Sequence, residues 1–213
     1  METRNDNKNI EVRATYAQEY LNLLSSFDEA NIVFIDEVGF NVSMRTLYGR
    51  SLIGTKAIHK VRSIRSRNVS VCCAITKNDV HKYAAQTSAF NIPSFQNFIQ
   101  ELVNEYALSN NTNVAFIMDN VRFHKNALIR SCIENKGFKL LYLPPYSPFL
   151  NPIENAFLKW KQSIIQSKPE NENDLISLLS RVNDLITPED CAGFYRNMMR
   201  YISQSILKIP ISD

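Results

Sequence analysis

The sequence has 213 residues, of which 45% are hydrophobic and 21% charged, a composition that predicts one globular domain, two at most. Five glycines and eight prolines exclude collagen-like and most low-complexity proteins, and the 10% of aromatic residues argues against intrinsic disorder. The net charge of +3 is modest, no apolar run approaches the roughly 18 residues that cross a bilayer, and the first residues lack the apolar segment of a secretory signal. We therefore expect a soluble intracellular protein that does not bind membranes.

The first half of the chain predicts a helix and three strands. The opening thirty residues are helical in pattern and lead into a short apolar run, Val33-Phe34-Ile35, which we expect to stop at Asp36-Glu37. Two further strands are predicted at about 69–76 and 80–87. A helix then opens at Pro93, since the apolar residues that follow recur with the spacing of one helical face.

The second half alternates strands and helices. A strand at 114–118 ends at Asp119-Asn120, and a short helix separates it from another strand at 138–143. After a proline-rich connector, Asn151-Pro152 predicts the N-cap and first residue of a helix. Residues 174–207 predict two amphipathic helices, broken at Thr187-Pro188. Strands first and then strand–helix alternation predict a mixed α/β sheet with helices on its faces.

Two carboxylates follow apolar strands, Asp36 after the first and Asp119 after the fourth. Ligands of α/β folds gather beyond the carboxyl ends of strands, so these side chains face one another if their strands are neighbours. Such a pair must share a cation or a proton, and oxygen-only ligands indicate Mg²⁺ or Mn²⁺. Taken singly, each residue is better interpreted as a turn residue or an N-cap.

Glu154 is the third carboxylate of interest. Three positions after Asn151, it fits the pattern of a capping box, which is a purely structural interpretation. The alternative is a metal ligand, because the stiff connector LPPYSPFLNP aims this helix N-terminus at one place. On chemistry alone the structural interpretation leads slightly.

A basic window follows the first strand, since no Asp or Glu occurs from Val38 to Asn78. A local positive field of this kind suits a phosphate backbone, and the alternative is a solvated loop or strand face. The candidate nucleic-acid-binding residues are Arg45, Arg50, Lys56, Lys60, Arg62, Arg65 and Arg67.

Three motifs together resemble the catalytic domain of the mariner-like DDE transposases, a group of DDE superfamily endonucleases. They are FIDEVGF around Asp36, FIMDNVRFHKN around Asp119, and LPPYSPFLNPIENAFLKWK around Glu154. Asp119 and Glu154 are separated by 34 residues, which matches the family's spacing. The resemblance covers most of residues 31–200. One departure is Phe149, where the family often has Asp.

This resemblance implies an RNase H-like α/β fold, a mixed sheet flanked by helices. It also implies that Asp36, Asp119 and Glu154 are the catalytic residues and hold two Mg²⁺ or Mn²⁺ ions for cleavage and strand transfer of double-stranded DNA. The basic window then becomes a DNA-facing strip. Asn120 and Asn155 are expected to orient the ligands or touch DNA, with helix capping an equal alternative.

Two further residues within these motifs, Glu37 and His124, carry ionisable side chains. We expect Glu37 to point away from the metal site, since side chains alternate along a strand. His124 is interpreted as a structural residue, and a phosphate contact is the alternative.

We expect residues 1–30 to form a short helical lead-in and residues 31–213 the catalytic domain, without the helix-turn-helix modules of full transposases. The leading hypothesis is a metal-dependent endonuclease and strand-transfer enzyme. A catalytically silent DNA-binding or oligomerisation module is the alternative, and a nuclease acting on RNA–DNA hybrids is a weaker third. A homodimer is expected, located in the nucleus if the host is eukaryotic and otherwise in the cytoplasm.

Overall fold

One five-stranded sheet organises the protein, seen in a computed structural model that describes residues 3–45, 49–58, 67–109, 111 and 113–212. The strand order is β3-β2-β1-β4-β5, with β1 antiparallel to β2, β2 antiparallel to β3, and β1, β4 and β5 mutually parallel. The predicted mixed α/β sheet is thereby confirmed. The strands are β1 (Ile32–Phe40), β2 (Val69–Ile75), β3 (Val80–Gln86), β4 (Ala115–Met118) and β5 (Lys139–Tyr142).

The helices begin where the sequence carries capping residues. Asn91 and Thr187 each form a capping box, with proline in the first turn, and the latter confirms the predicted break at Thr187-Pro188. The region before that break was predicted as one helix and is two, because the chain turns at Ser180-Arg181. The helices are α1 (Asn7–Leu24), α2 (Ile92–Leu108), α3 (Ala127–Glu134), α4 (Pro152–Ser167), α5 (Glu172–Leu179), α6 (Val182–Leu185) and α7 (Pro188–Ile206).

Alternation along β1 divides the core into two layers. Phe34, Val38 and Phe40 pack against the helices α1, α4 and α7 on one face. Val33 and Ile35 pack against α2 and α3 on the other. Within the described ranges, no helix is long and apolar enough to cross a membrane.

The first strand does not stop at Asp36, which corrects the sequence-based expectation. It continues to Phe40 because β2 pairs with it along that length, from Phe34 opposite Ile75 to Phe40 opposite Val69. The parallel partner β4 is shorter and ends beside Ile35. Asp36 therefore lies inside a strand, at the point where one of its two neighbours ends.

Candidate active site

The register between β1 and β4 places Asp36 and Asp119 side by side. Ile35 and Met118 are the last parallel pair, and each carboxylate is the residue that follows. Both side chains lie on the face covered by α4, because Phe34 and Ile117, two residues earlier in each segment, belong to that layer. The strands are neighbours, as the sequence argument required.

Glu154 reaches the same place from the other direction. The connector after β5 includes a short 3-10 helix, Pro148–Leu150, and α4 begins at Pro152 with Glu154 in its first turn. Trp160, fully buried against Phe40, holds the body of α4 on the sheet. All three carboxylates thus line one cleft of about 320 Å³, together with Asn120, Val121, the segment 143–148 and Asn151.

Asn151 is a site residue that sequence reasoning assigned to a different task. Its side chain makes no capping hydrogen bond, so the predicted capping box with Glu154 is wrong. Its Nδ2 instead donates to Oδ2 of Asp36 at 2.8 Å. Asn151 is buried, and its amide N–H, for which a helix N-terminus offers no acceptor, finds one in the half-buried carboxylate of Asp36.

The electrostatics of the cleft are dominated by uncompensated negative charge. Burial raises the pKa of Asp36 to about 8, and the nearby charges of Asp119, Glu154 and Glu37 act in the same direction. A hydrogen bond from the Glu37 N–H to Asp36 Oδ1, 2.8 Å long, opposes them only in part. A cation in this cleft would relieve the repulsion that these groups impose on one another.

Glu154 is more exposed than Asp36, and its pKa is also raised. Burial raises its pKa, the charge of Lys161 lowers it, and the charge of Asp119 raises it again. Lys161 lies two turns further along α4 and is half-buried. Lys159, which lies between Glu154 and Lys161 on the same helix, is engaged in an ion pair with Asp190.

His124 and Glu37 form a second arrangement behind the cleft. The His124 ring is fully buried, with Nδ1 2.5 Å from Asp119 Oδ1 and Nε2 3.0 Å from Glu37 Oε1. Burial lowers the pKa of His124, but the two carboxylate contacts outweigh it and raise the pKa to about 9. Glu37 points away from the cleft, as predicted. The alternative of a phosphate contact by His124 is wrong, because the ring has no exposed surface.

Of the two asparagines expected near the ligands, Asn120 lines the cleft. Asn155 is half-buried on α4 and is not among the described residues that line it.

The basic window is only partly described. Arg50, Lys56 and Arg67 are exposed, whereas Arg45 is half-buried and donates from Nη1 to the backbone oxygens of its own loop, Val42 and Met44. Lys60, Arg62 and Arg65 lie outside the described residues.

The residues of the cleft suit a hard divalent cation in chemistry. The donors are carboxylate and amide oxygens, and the buried Oδ1 of Asn151 has no hydrogen-bond partner. Over the described ranges, no group of three or more His, Cys, Asp or Glu side chains is placed so that it could hold a metal ion as it stands. The donor set therefore fits such an ion, while the side chains would have to draw together around it.

Comparisons with known proteins agree with this architecture. A family model for DDE superfamily endonucleases matches residues 31–176. A search of curated proteins finds none that matches the sequence. Among solved structures, the Mos1 mariner transposase catalytic domain superposes with a TM-score of 0.73 at 14% identity, covering 97% of each chain.

Two structures of Mos1 complexes give the same result. A pre-cleavage Mos1 transpososome matches with a TM-score of 0.79 at 16% identity, and a Mos1 paired end complex with Mg matches with a TM-score of 0.81 at 16%. Both comparisons cover 98% of this chain, which spans only 65% and 64% of the respective Mos1 chains. The fold is the expected RNase H-like one, a mixed sheet flanked by helices, and the chain belongs to the DDE superfamily endonucleases.

Proposed function

We propose that this chain is a metal-dependent catalytic domain that cuts and joins double-stranded DNA. One observation carries the proposal: β1, the end of β4 and the start of α4 each contribute one carboxylate to the same open cleft. A structural role would not require three acidic groups in one cleft, where the charge of Asp119 raises the pKa of Asp36 and of Glu154, since such repulsion costs stability. Membership of an endonuclease family supports the same conclusion.

Asp36, Asp119 and Glu154 are the residues that would hold two Mg²⁺ or Mn²⁺ ions. When bound, the ions supply Lewis acidity, which activates a water or a DNA 3′-hydroxyl and stabilises the leaving oxygen of phosphoryl transfer. Solved Mos1 paired end complexes contain Mn or Mg, which supports a divalent cation here.

The surrounding residues orient these carboxylates before any ligand arrives. Asn151 and the Glu37 N–H fix both oxygens of Asp36, so the side chain presents one orientation to the cleft. Glu154 is exposed at the rim, where its position in the first helical turn lets it meet an incoming phosphate group and its cation. Asn120 lines the same cleft, and we propose that it orients a ligand or touches DNA.

DNA is the proposed partner, bound across the cleft by the basic window. Arg50, Lys56 and Arg67 are exposed and have the charge for phosphate contacts. The Mos1 structures include a strand transfer complex and a complex with the left transposon end, which supports DNA as a ligand of this fold. We further propose a homodimer, with residues 31–213 as the catalytic domain and 1–30 as its helical lead-in.

Calorimetric titration with Mn²⁺ tests the metal site directly. We expect the native chain to bind, and Asp119→Asn to lose that binding because it removes a charged ligand. Asp184→Asn is the matched control, since it makes the same change at a surface residue outside the cleft, and it should bind as the native chain does.

Nicking of supercoiled plasmid on the same samples tests catalysis. Nicking that requires Mn²⁺ and is lost in Asp119→Asn supports the enzyme. Absence of both Mn²⁺ binding and nicking, even with DNA present, would rule out the enzyme and leave the catalytically silent module as the leading hypothesis. An RNA–DNA hybrid that competes better than duplex DNA would favour a hybrid-directed nuclease.

A further inference from the structure

The chain beyond the last β1–β4 pair is held to β1 by side chains. Backbone pairing ends at Ile35 and Met118, one residue before each aspartate. Past that point His124 lies between Asp119 and Glu37, and Glu37 is the chain neighbour of Asp36. The two acidic groups on either side of His124 therefore belong to the two backbone segments that carry the cleft aspartates.

Both contacts of this bridge are short and shielded from water. Nδ1 of His124 lies 2.5 Å from Oδ1 of Asp119, and Nε2 lies 3.0 Å from Oε1 of Glu37. The imidazole is fully buried, and Asp119 meets its Nδ1 at ion-pair distance without the angle of a regular hydrogen bond. Charged contacts of this kind are stronger in a buried setting than at the surface, because water does not screen them.

The ring itself has little freedom to turn. Phe95 stacks on it with a centroid distance of 4.4 Å and an interplanar angle of 25°, and Phe123 packs at 4.2 Å from another side. Tyr142 on β5 donates a hydrogen bond of 3.0 Å to the His124 backbone oxygen. The ring and the backbone of His124 are thus held by separate contacts. The positions of the two ring nitrogens therefore do not depend on the contact with Asp119.

The consequence for Asp119 is a choice between its two oxygens. Oδ1 receives the His124 contact and also a hydrogen bond of 3.3 Å from the Val121 N–H. Both interactions fall on the same atom, which leaves Oδ2 without a described hydrogen-bond partner in the cleft. A carboxylate held by one oxygen presents the other in a defined direction.

We propose that His124, supported by Glu37, is a positioning residue that orients the Asp119 carboxylate and fixes its spacing from Asp36. This inference rests on the proposed metal site, which it deepens by assigning two residues that the family's carboxylates do not include. The Glu37 side chain acts on Asp119 through His124, because it lies on the opposite face of β1 from the cleft.

Mn²⁺ affinity of substituted chains tests the assignment. His124→Phe fits the aromatic surroundings but lacks both nitrogens, and loss of a group that orients a ligand commonly weakens metal affinity about 10- to 100-fold. His124→Gln retains one donor and should bind with intermediate affinity, which keeps the test informative if the Phe variant folds poorly. Phe138→Leu is the matched control: it loosens the same core layer beside Phe116 without touching the bridge, and its affinity should stay native.

Combining substitutions tests whether Glu37 works through His124. Glu37→Ala alone should weaken Mn²⁺ binding, and adding it to His124→Phe should cause no further loss, because the bridge is already broken. Additive losses, or a His124→Phe affinity equal to that of the Phe138→Leu control, would overturn the proposal.

A measurement in chelator separates this inference from the metal site itself. Thermal unfolding of His124→Phe, Asp119→Asn and the double variant reports their coupling without metal. In the Asp119→Asn background, His124→Phe should lower Tm by less than about half of what it does in the native background. The reason is that Asp119→Asn has already weakened the contact between positions 119 and 124. If the two substitutions lower Tm independently, the bridge is overturned. If they are coupled but the native chain binds no Mn²⁺, only the proposed function is overturned.

Discussion

Asp36→Asn should stabilise the metal-free protein at alkaline pH while abolishing metal binding. In the folded chain burial, with the charges of Asp119 and Glu154, raises the pKa of Asp36 to about 8, against an ordinary value of 3.8. Between these values the folded state binds a proton that the unfolded state does not, so stability falls as pH rises from about 4 to about 8. An asparagine has no charge and escapes this cost.

The upper limit of the stability gained by Asp36→Asn follows from the difference between the two pKa values. It corresponds to about 6 kcal/mol above pH 8, of which we expect about 2–4 kcal/mol to be measured because the half-buried site can relax. The new amide can still accept from the Glu37 N–H, and its NH₂ group can donate to the unpartnered Oδ1 of a reoriented Asn151. The substitution thus removes the charge without leaving a new orphan.

Thermal unfolding in chelator at pH 8.5 and pH 5 provides the assay. For a chain of this size the gain corresponds to about 5–15 °C in Tm at pH 8.5, and it should shrink to less than about a third of that at pH 5, where native Asp36 is protonated. Asp184→Asn changes an exposed aspartate in an ion pair with Arg181, and it should shift Tm little at either pH. An equal gain at both pH values, or a loss at pH 8.5, would refute the reasoning.

Three further predictions concern the helix, the amide and the basic window. Trp160→Ala should cost about 3–5 kcal/mol in urea unfolding, because the indole is fully buried, and a loss below about 1 kcal/mol would contradict its role in seating α4. Asn151→Ala should weaken Mn²⁺ binding about tenfold by freeing the Asp36 carboxylate, and unchanged calorimetric affinity would exclude an orienting role. Replacing the described exposed residues of the basic window together by Gln should lower the slope of log Kd for DNA against log salt by about 2–3, while Arg181→Gln leaves the slope unchanged. Equal slopes for the combined variant and the native chain would place the DNA elsewhere. The residues in that combined variant are Arg50, Lys56 and Arg67.

The order of strands and helices was largely predictable because hydrophobic periodicity is a local signal. What the sequence could not supply is the length of each ladder, which depends on the partner. Asp36 looked like a strand end because apolar residues stop there, yet pairing with β2 carries the strand on to Phe40. Strand ends marked by polarity alone are unreliable wherever a carboxylate interrupts a buried strand.

The three carboxylates of the site were also identified from sequence, but two of their supporting residues were misjudged. Asn151 matched a capping pattern, and only the packing of α4 against β1 shows that its amide meets Asp36 instead. His124 gave no spacing signal, since its partners lie 87 residues earlier and five residues earlier in the chain. A signal did exist in the acidic pair Asp36-Glu37: a buried strand with two consecutive carboxylates needs a partner for each face.

The alternation of Asp36 and Glu37 has a consequence for how this domain tolerates change. A slip of one residue in β1 would keep both charges in the same region but exchange their places, with the longer side chain in the cleft and the shorter one facing the imidazole. Composition and net charge would be unaltered, yet both the cleft and the bridge would be lost. The apolar residues on either side prevent this, because each would move to the opposite layer of the core at the same time. Insertions and deletions between β1 and β2 leave this register unchanged, whereas a single-residue change in length within β1 shifts it.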